Sequence, residues 1–309
     1  MSEPWDPEQT VDAALARALI EAQFPDLAPA QVAPLGVGWD NSAFLVGGTW
    51  VFRFPRRAVA VPLLERETRL LPALAPCLPL PIPVPQRVGR PGPAFPWPFA
   101  GYLLLPGRTA CAAALDDRQR AVAAGPLGAF LAALHAFPVA EAAARGAGAD
   151  EIGRTDVPAR TAKARGTLAE LDRLGLLDPG GRARLERVLD AAPTARPGAD
   201  RVPPVLVHGD LYVRHVLVDE RARPAGVIDW GDVHLGERAV DLALAHWCLP
   251  PAAHETFRRA YGPIDDDTWR LAAFRAAYHA ASVVRYAQGV GDADLLREGR
   301  LALRWLAAS

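Results

Sequence analysis

Residues 205–232 read VLVHGDLYVRHVLVDERARPAGVIDWGD. Three short apolar runs in this stretch, Val205-Leu206-Val207, Val216-Leu217-Val218 and Gly226-Val227-Ile228, predict strands separated by polar turns. His208-Gly209-Asp210 follows the first run, so Asp210 is expected in a loop at a strand end with its carboxylate facing a cleft. The second and third runs are joined through the polar segment from Asp219 to Pro224. That hairpin delivers Asp229 close to the start of the second run, where His215 stands five residues after Asp210.

Two carboxylates and one further polar group at this spacing suit the transfer of a phosphoryl group. Such a reaction leaves the protein little covalent chemistry; it needs a group that orients the acceptor hydroxyl and a divalent cation that neutralises the phosphate oxygens. Asp210 is the candidate to accept or align the acceptor's proton. Asp229 and His215 are the candidates to hold Mg²⁺, which prefers hard oxygen ligands and keeps several waters, so that one carboxylate, one neighbouring side chain and the nucleotide phosphates suffice.

The string His208-Gly209-Asp210, with a polar group at 215 and then Ile228-Asp229-Trp230-Gly231-Asp232, resembles the catalytic and metal motifs of the aminoglycoside phosphotransferase superfamily, whose members share the protein-kinase-like fold. The resemblance implies an α+β, two-lobed chain with a small β-rich N-lobe at 1–105 and a larger, mainly helical C-lobe at 106–309. It implies ATP or GTP as phosphoryl donor and a supporting role for His208 beside the catalytic loop. At position 215 the family usually carries asparagine, and the histidine resembles the macrolide phosphotransferase branch. Imidazole is a softer ligand than an amide oxygen and tolerates Mn²⁺ more readily.

A kinase-like fold also needs a glycine-bearing hairpin and a cation for the nucleotide phosphates, with a helical glutamate to hold that cation. Residues 35–46, LGVGWDNSAFLV, predict strand, loop and strand, with Gly36, Gly38, Asn41 and Ser42 as the phosphate-facing candidates, although a plain β-hairpin reads equally well. Gly47-Gly48 then turns the chain into Thr49 to Phe54. The only lysine is Lys163, so Arg53 takes the cation's place, in a strand whose alternation predicts half burial. Its expected partner is Glu67, which shares a helical face with Leu63, Leu70 and Leu71, whereas Glu65 points to solvent.

Phe99-Ala100-Gly101-Tyr102-Leu103-Leu104-Leu105-Pro106-Gly107 resembles the family's strand and hinge, with backbone groups of Tyr102, Leu103 and Leu105 expected to meet the base. The Pro-rich stretch from Leu78 to Pro98 predicts a stiff, strand-poor surface connection. Asp6, Pro7 and Gln9 look like the start of a first helix whose buried stripe would be Val11, Ala14, Leu15, Ala18 and Leu19.

Beyond the hinge the periodicity is helical, with Leu127, Phe130, Leu131, Leu134 and His135 on one stripe, then Leu168, Leu171 and Leu174, then Leu185, Val188 and Leu189. Residues 140–199 resemble the helical insertion that walls the acceptor site in small-molecule phosphotransferases. Asp241, in a helix opening near Gly236, resembles the family's aspartate that braces the catalytic loop; an exposed first-turn carboxylate is the competing reading.

The 309 residues, half of them hydrophobic, can fill two cores. A net charge of −1, with 34 basic residues scattered among 35 acidic ones, argues against nucleic acid as a partner. Cys77, Cys111 and Cys248 lack metal spacing and read as buried thiols in a reducing compartment. With no apolar run near the ~20 residues that span a bilayer, and an acidic start in place of a leader, the chain is expected to be cytoplasmic, off the membrane, and a monomer or homodimer.

The reading that follows is a phosphotransferase moving the γ-phosphoryl of ATP or GTP to a hydroxyl of a small molecule, of antibiotic type, aminoglycoside or macrolide. A polycation would require converging carboxylates, for which Asp265-Asp266-Asp267 is a candidate unless it caps a helix. A macrolide would require aromatic walls, for which Trp269, Phe274, Tyr278 and Tyr286 are candidates unless they are core. A metabolic alcohol or amino-sugar kinase is the alternative within enzymes, and a nucleotide-binding pseudokinase scaffold the alternative outside them.

Overall fold

The first helix, α1 (Ala13–Gln23), starts six residues later than Asp6 and Pro7 suggest. Asp12 is the cap, its Oδ1 accepting the Leu15 N–H at 2.8 Å. Upstream, the backbone N–H groups of Glu8 and Gln9 both donate to the Arg56 carbonyl, which holds them in a bend outside the helix. The stripe shifts accordingly: Ala16 and Ile20 are buried, while Ala14 and Ala18 are exposed. The computed structural model describes residues 6–193 and 203–308, so the acidic start and the end of the 140–199 stretch lie outside the described residues.

Two compact units are formed. One comprises Met1–Pro76, Pro81–Leu105 and Trp230–Asp232; the other comprises Cys77–Leu80, Pro106–Asp229 and Val233–Ser309. A single cut after residue 105 therefore misplaces two short segments, because packing rather than chain order assigns them.

In the first unit, α1 is followed by β1 (Val32–Val37), β2 (Asn41–Val46), β3 (Trp50–Pro55), α2 (Val61–Leu74), β4 (Arg87–Gly89) and β5 (Phe99–Leu103). The strands form one antiparallel sheet in the order β1-β2-β3-β5-β4. Phe52 and Phe54 join Ile20, Phe44, Phe95 and Phe99 in an aromatic-rich core, with Phe54 and Phe99 stacked at 4.6 Å. Glycine is required beside these rings, since a Cβ on Gly101 would meet the Phe52 ring at 2.6 Å and one on Gly89 the Phe99 ring at 2.2 Å.

β3 is not the half-buried strand that its alternation predicts. Val51 and Arg53 are buried along with the two phenylalanines, because β3 is central in the sheet and Glu67 of α2 reaches Arg53 on the second face. The Leu78–Pro98 stretch is likewise more than a surface connection: it contributes β4 and buries Ile82 and Phe95.

The second unit runs β6 (Arg108–Thr109), α3 (Ala110–Ala113), α4 (Asp117–His135), α5 (Val139–Ala144), α6 (Val157–Arg173), α7 (Gly181–Asp190), β7 (Val205–Val207), β8 (Val216–Val218), β9 (Pro224–Val227), β10 (His234–Gly236), α8 (Ala239–Cys248), α9 (His254–Tyr261), α10 (Asp266–Val290) and α11 (Ala293–Ala308). The predicted hairpin is β8 and β9, antiparallel, with β6 beside β8; β7 pairs with β10. Gly236 belongs to β10 rather than to the helix that follows.

A complete capping box of Asp116 and Gln119 starts α4, which buries Leu127, Phe130, Leu131 and Leu134 as its spacing predicts. Leu174 departs from its stripe and is exposed, since α6 ends at Arg173. The long α10 packs against α6, α8 and α11. Cys111 and Cys248 are buried, but Cys77 is exposed in the turn after α2. Among the described residues, no helix is long and apolar enough to cross a membrane.

Candidate active site

The loop after β7 is held by a carboxylate that is distant in sequence. Asp241, in the first turn of α8, is fully buried; its Oδ2 accepts the His208 N–H at 2.7 Å and its Oδ1 the Gly209 N–H at 3.0 Å. The exposed-carboxylate reading of Asp241 is thereby excluded. His135 lies with Nε2 3.3 Å from Asp241 and Nδ1 2.8 Å from the Tyr261 hydroxyl. Burial alone would raise the Asp241 pKa, but the hydrogen bond and charge of His135, with the Gly209 N–H, hold it below its ordinary value.

His208 is itself fully buried and bridges the two polar loops. Its Nε2–H donates to the Ile228 carbonyl at 3.0 Å, and its Nδ1 accepts the Asp210 N–H at 3.3 Å. One donor and one acceptor make this the neutral tautomer, and burial lowers its pKa accordingly.

His215 ties the same loops together from the far side. Its Nδ1–H donates to the Asp210 carbonyl at 2.7 Å, so Nε2 faces Asp229 Oδ2 at 3.2 Å. Burial would lower its pKa, yet the carboxylates of Asp229 and Asp210 push the imidazole up to about 9. Asp229 sits in the left-handed backbone region at φ 66° with its side chain half exposed. Aspartate tolerates that conformation better than most residues, and such strain concentrates at functional sites.

The carboxylate of Asp210 is flanked by two residues of α10 that the periodicity reading passed over. His279 Nε2 lies 3.3 Å from Oδ1, and an Nη of Arg275 lies 3.7 Å from the same oxygen. Although burial would raise the Asp210 pKa, the His279 hydrogen bond and the charges of His279, His215 and Arg275 hold it far below the usual carboxylate range. Arg154 is a third unforeseen base: its Nε donates to the Gly209 carbonyl at 3.0 Å and its guanidinium pairs with Asp150 at 2.7 Å. The available signal was two basic residues four apart in an otherwise alanine-rich helix, which share one face.

In the first unit, Arg53 and Glu67 form a buried ion pair at 2.8 Å, while Glu65 is exposed. The glycine hairpin is closed by the Gly38 N–H donating to the Asn41 carbonyl at 2.9 Å, which removes that amide from the set that could face phosphate. Gly36 lies inside β1 beside a register shift and Ser42 is buried in β2, with exposed Trp39 at the tip between them. Tyr102 and Leu103 close β5, and Leu105 ends the Pro81–Leu105 segment of the first unit.

The Asp229 carboxylate suits a divalent cation as it stands, and His215 Nε2 would join it once the cation displaces the proton that Nε2 shares with Asp229. With Nδ1 fixed on a backbone carbonyl, the ring presents Nε2 in a set orientation, as metal-binding histidines do. Among the described residues, no group of three or more His, Cys, Asp or Glu is arranged to hold a metal ion. A cation here would therefore take further oxygens from phosphate and water, as Mg²⁺ does readily.

The acceptor candidates resolve into helix architecture. Asp265 is the N-cap of α10, accepting the Thr268 N–H at 2.8 Å, and it also pairs with Arg238. Phe274 and Tyr278 are core, Trp269 packs beside His246 and His254, and Tyr286 is exposed.

Residues 31–278 match the profile of the phosphotransferase enzyme family. A curated relative, the viomycin phosphotransferase of Streptomyces vinaceus, is 36% identical over 128 residues, which span 40% of this chain and 43% of that protein. The GDP complex of wild-type aminoglycoside 2'-phosphotransferase-IIIa superposes with a TM-score of 0.70 at 27% identity, covering 96% of this chain and 99% of the other. The macrolide 2'-phosphotransferase MphH of Brachybacterium faecium superposes with a TM-score of 0.57 at 27% identity, covering 92% and 98%.

Proposed function

We propose, from the premise that the chain belongs to the phosphotransferase enzyme family, that it transfers the γ-phosphoryl of ATP or GTP to a hydroxyl of a small antibiotic-type acceptor. The observation that carries this reading is the placement of the Asp210 carboxylate, set by His208, Asp241 and His279 in a loop beside the Asp229–His215 pair.

Asp210 is the acceptor-aligning residue. Its suppressed basicity makes it an orienting hydrogen-bond acceptor first, and it takes the hydroxyl proton only as the new O–P bond forms and the bond to the bridging oxygen of the departing nucleoside diphosphate breaks. Asp229 and His215 Nε2 would hold Mg²⁺ or Mn²⁺, which supplies charge neutralisation on the phosphate oxygens. Arg53, fixed by Glu67, is assigned to phosphate, and the backbone of Tyr102 to Leu105 to the base. Gly36, Gly38, Asn41 and Ser42 stay with the phosphate loop, which contributes through amides other than that of Gly38.

The relatives' names support an antibiotic acceptor and the GDP complex supports a guanine nucleotide as one donor. The acidic trio at 265–267 serves α10, and the side chains around Asp210 are basic, which favours an acceptor of low positive charge. Cys111 and Cys248, buried thiols outside any disulfide, suit a reducing compartment such as the cytoplasm.

The test is a phosphate-transfer screen of aminoglycosides, macrolides, viomycin and cellular alcohols with ATP and GTP, run beside Asp210→Ala. We expect Asp210→Ala to lose several orders of magnitude in turnover with nucleotide affinity retained. Unchanged turnover removes the assignment. Nucleotide binding without transfer to any acceptor favours the scaffold reading instead.

A further inference from the structure

Besides His208 and His215, three basic side chains converge on the Asp210 loop, and two of these three are committed. Arg154 is used by the Gly209 carbonyl and Asp150, and His279 by the Asp210 carboxylate. Arg275 is different. It is 7% exposed, its Nε is sealed from solvent without a hydrogen-bond partner, and its one ion contact, 3.7 Å from Asp210 Oδ1, is longer than a hydrogen bond. A guanidinium offers five N–H donors, and leaving donors of a buried charge unmet is costly.

The side chain is nevertheless held firmly. Its guanidinium carbon lies 4.9 Å from the centroid of the Tyr278 ring, and Tyr278 is anchored by its hydroxyl donating to the Arg154 carbonyl at 2.7 Å. A cation kept in place by stacking, with its hydrogen-bonding edge unspent beside the acceptor-aligning carboxylate, is arranged for an anion that arrives during the reaction.

We propose that Arg275 binds the oxygens of the phosphoryl group in transfer, an arginine supplied from α10 of the same chain. This rests on the phosphotransferase reading above. Charge in such a transition state is spread over the three equatorial phosphoryl oxygens beside the attacking hydroxyl, and that hydroxyl is what Asp210 aligns. The fork of Arg275 meets those oxygens, and Asp210, its neighbour, is kept from repelling them. An anionic group on the acceptor would satisfy the same chemistry, and the two sources separate experimentally.

The experiment compares wild type with Arg275→Gln and with Arg275→Met, which keeps the stem packed on Tyr278 and stands in if the glutamine variant fails to fold. Three quantities are read: kcat and KM for the acceptor found in the screen, NTP hydrolysis with water as acceptor, and inhibition by nucleoside diphosphate plus aluminium fluoride, a planar phosphoryl mimic. The inference predicts that kcat and NTP hydrolysis both fall about 10²- to 10³-fold, that fluoroaluminate inhibition weakens, and that acceptor KM and diphosphate affinity stay within about threefold. A rise in acceptor KM with NTP hydrolysis unchanged assigns Arg275 to the acceptor and overturns the inference. Variants equal to wild type in all three also overturn it. A wild type that turns over no NTP with any acceptor would overturn the phosphotransferase reading itself, a different result from a variant that matches an active wild type.

Discussion

The Asp241 carboxylate and the His208 backbone N–H meet at 2.7 Å across 33 residues of sequence, tying the first turn of α8 to the loop that carries Asp210. Replacing Asp241 by asparagine keeps the shape but turns an amide N–H₂ toward donors, so Asp241→Asn should cost about 3 kcal/mol, measured by urea unfolding. The pH dependence has a definite sign. The Asp241 pKa lies below its ordinary 3.8 in the folded protein, so its contribution is complete above about pH 4 and disappears as the pH falls through the folded value. Wild type should lose stability steeply on acidification, and the variant should show a shallower slope there. Equal slopes would mean that Asp241 is not the linked group.

Arg53 and Glu67 test the cation of the first unit. Both are buried and paired at 2.8 Å, so Glu67→Ala should lower stability by about 3 kcal/mol and raise the nucleotide KM, while Glu65→Ala, at an exposed position, should stay within about 0.5 kcal/mol of wild type. Thermal unfolding and nucleotide titration of the two variants decide the matter. If both behave alike, the pair has no special role.

Gly107 follows the strand-and-hinge segment with φ at +107°, and a Cβ there would lie 2.6 Å from the Val218 carbonyl oxygen. That oxygen is backbone of β8 and cannot swing aside as a side chain can. Gly107→Ala combines strain with a clash and should cost about 3 kcal/mol. An unfolding midpoint unchanged in urea would show that the turn relaxes.

The local chemistry of this protein was legible along the chain. Strands β7 and β8 follow from β-branched runs, and Glu67 follows from its place on the leucine face of α2, because pleat and helical period act over a few residues; β9, expected at 226–228, lies at Pro224–Val227. Asp210, His215 and Asp229 could be singled out as candidates because each stands within three residues of a strand end, although 19 residues separate the first from the last. What the chain order could not carry was decided by packing. Asp12 rather than Asp6 caps α1 because the segment ahead of it hydrogen-bonds to Arg56. Asp265 of the acidic trio is a helix cap beside Thr268 and Arg238, and Asp266 and Asp267 lie in the first turn that follows. Arg154, Arg275 and His279 reach the Asp210 loop across 55 to 69 residues of sequence, and such neighbours are set by how α10 and the segment before α6 pack, an arrangement that periodicity does not encode.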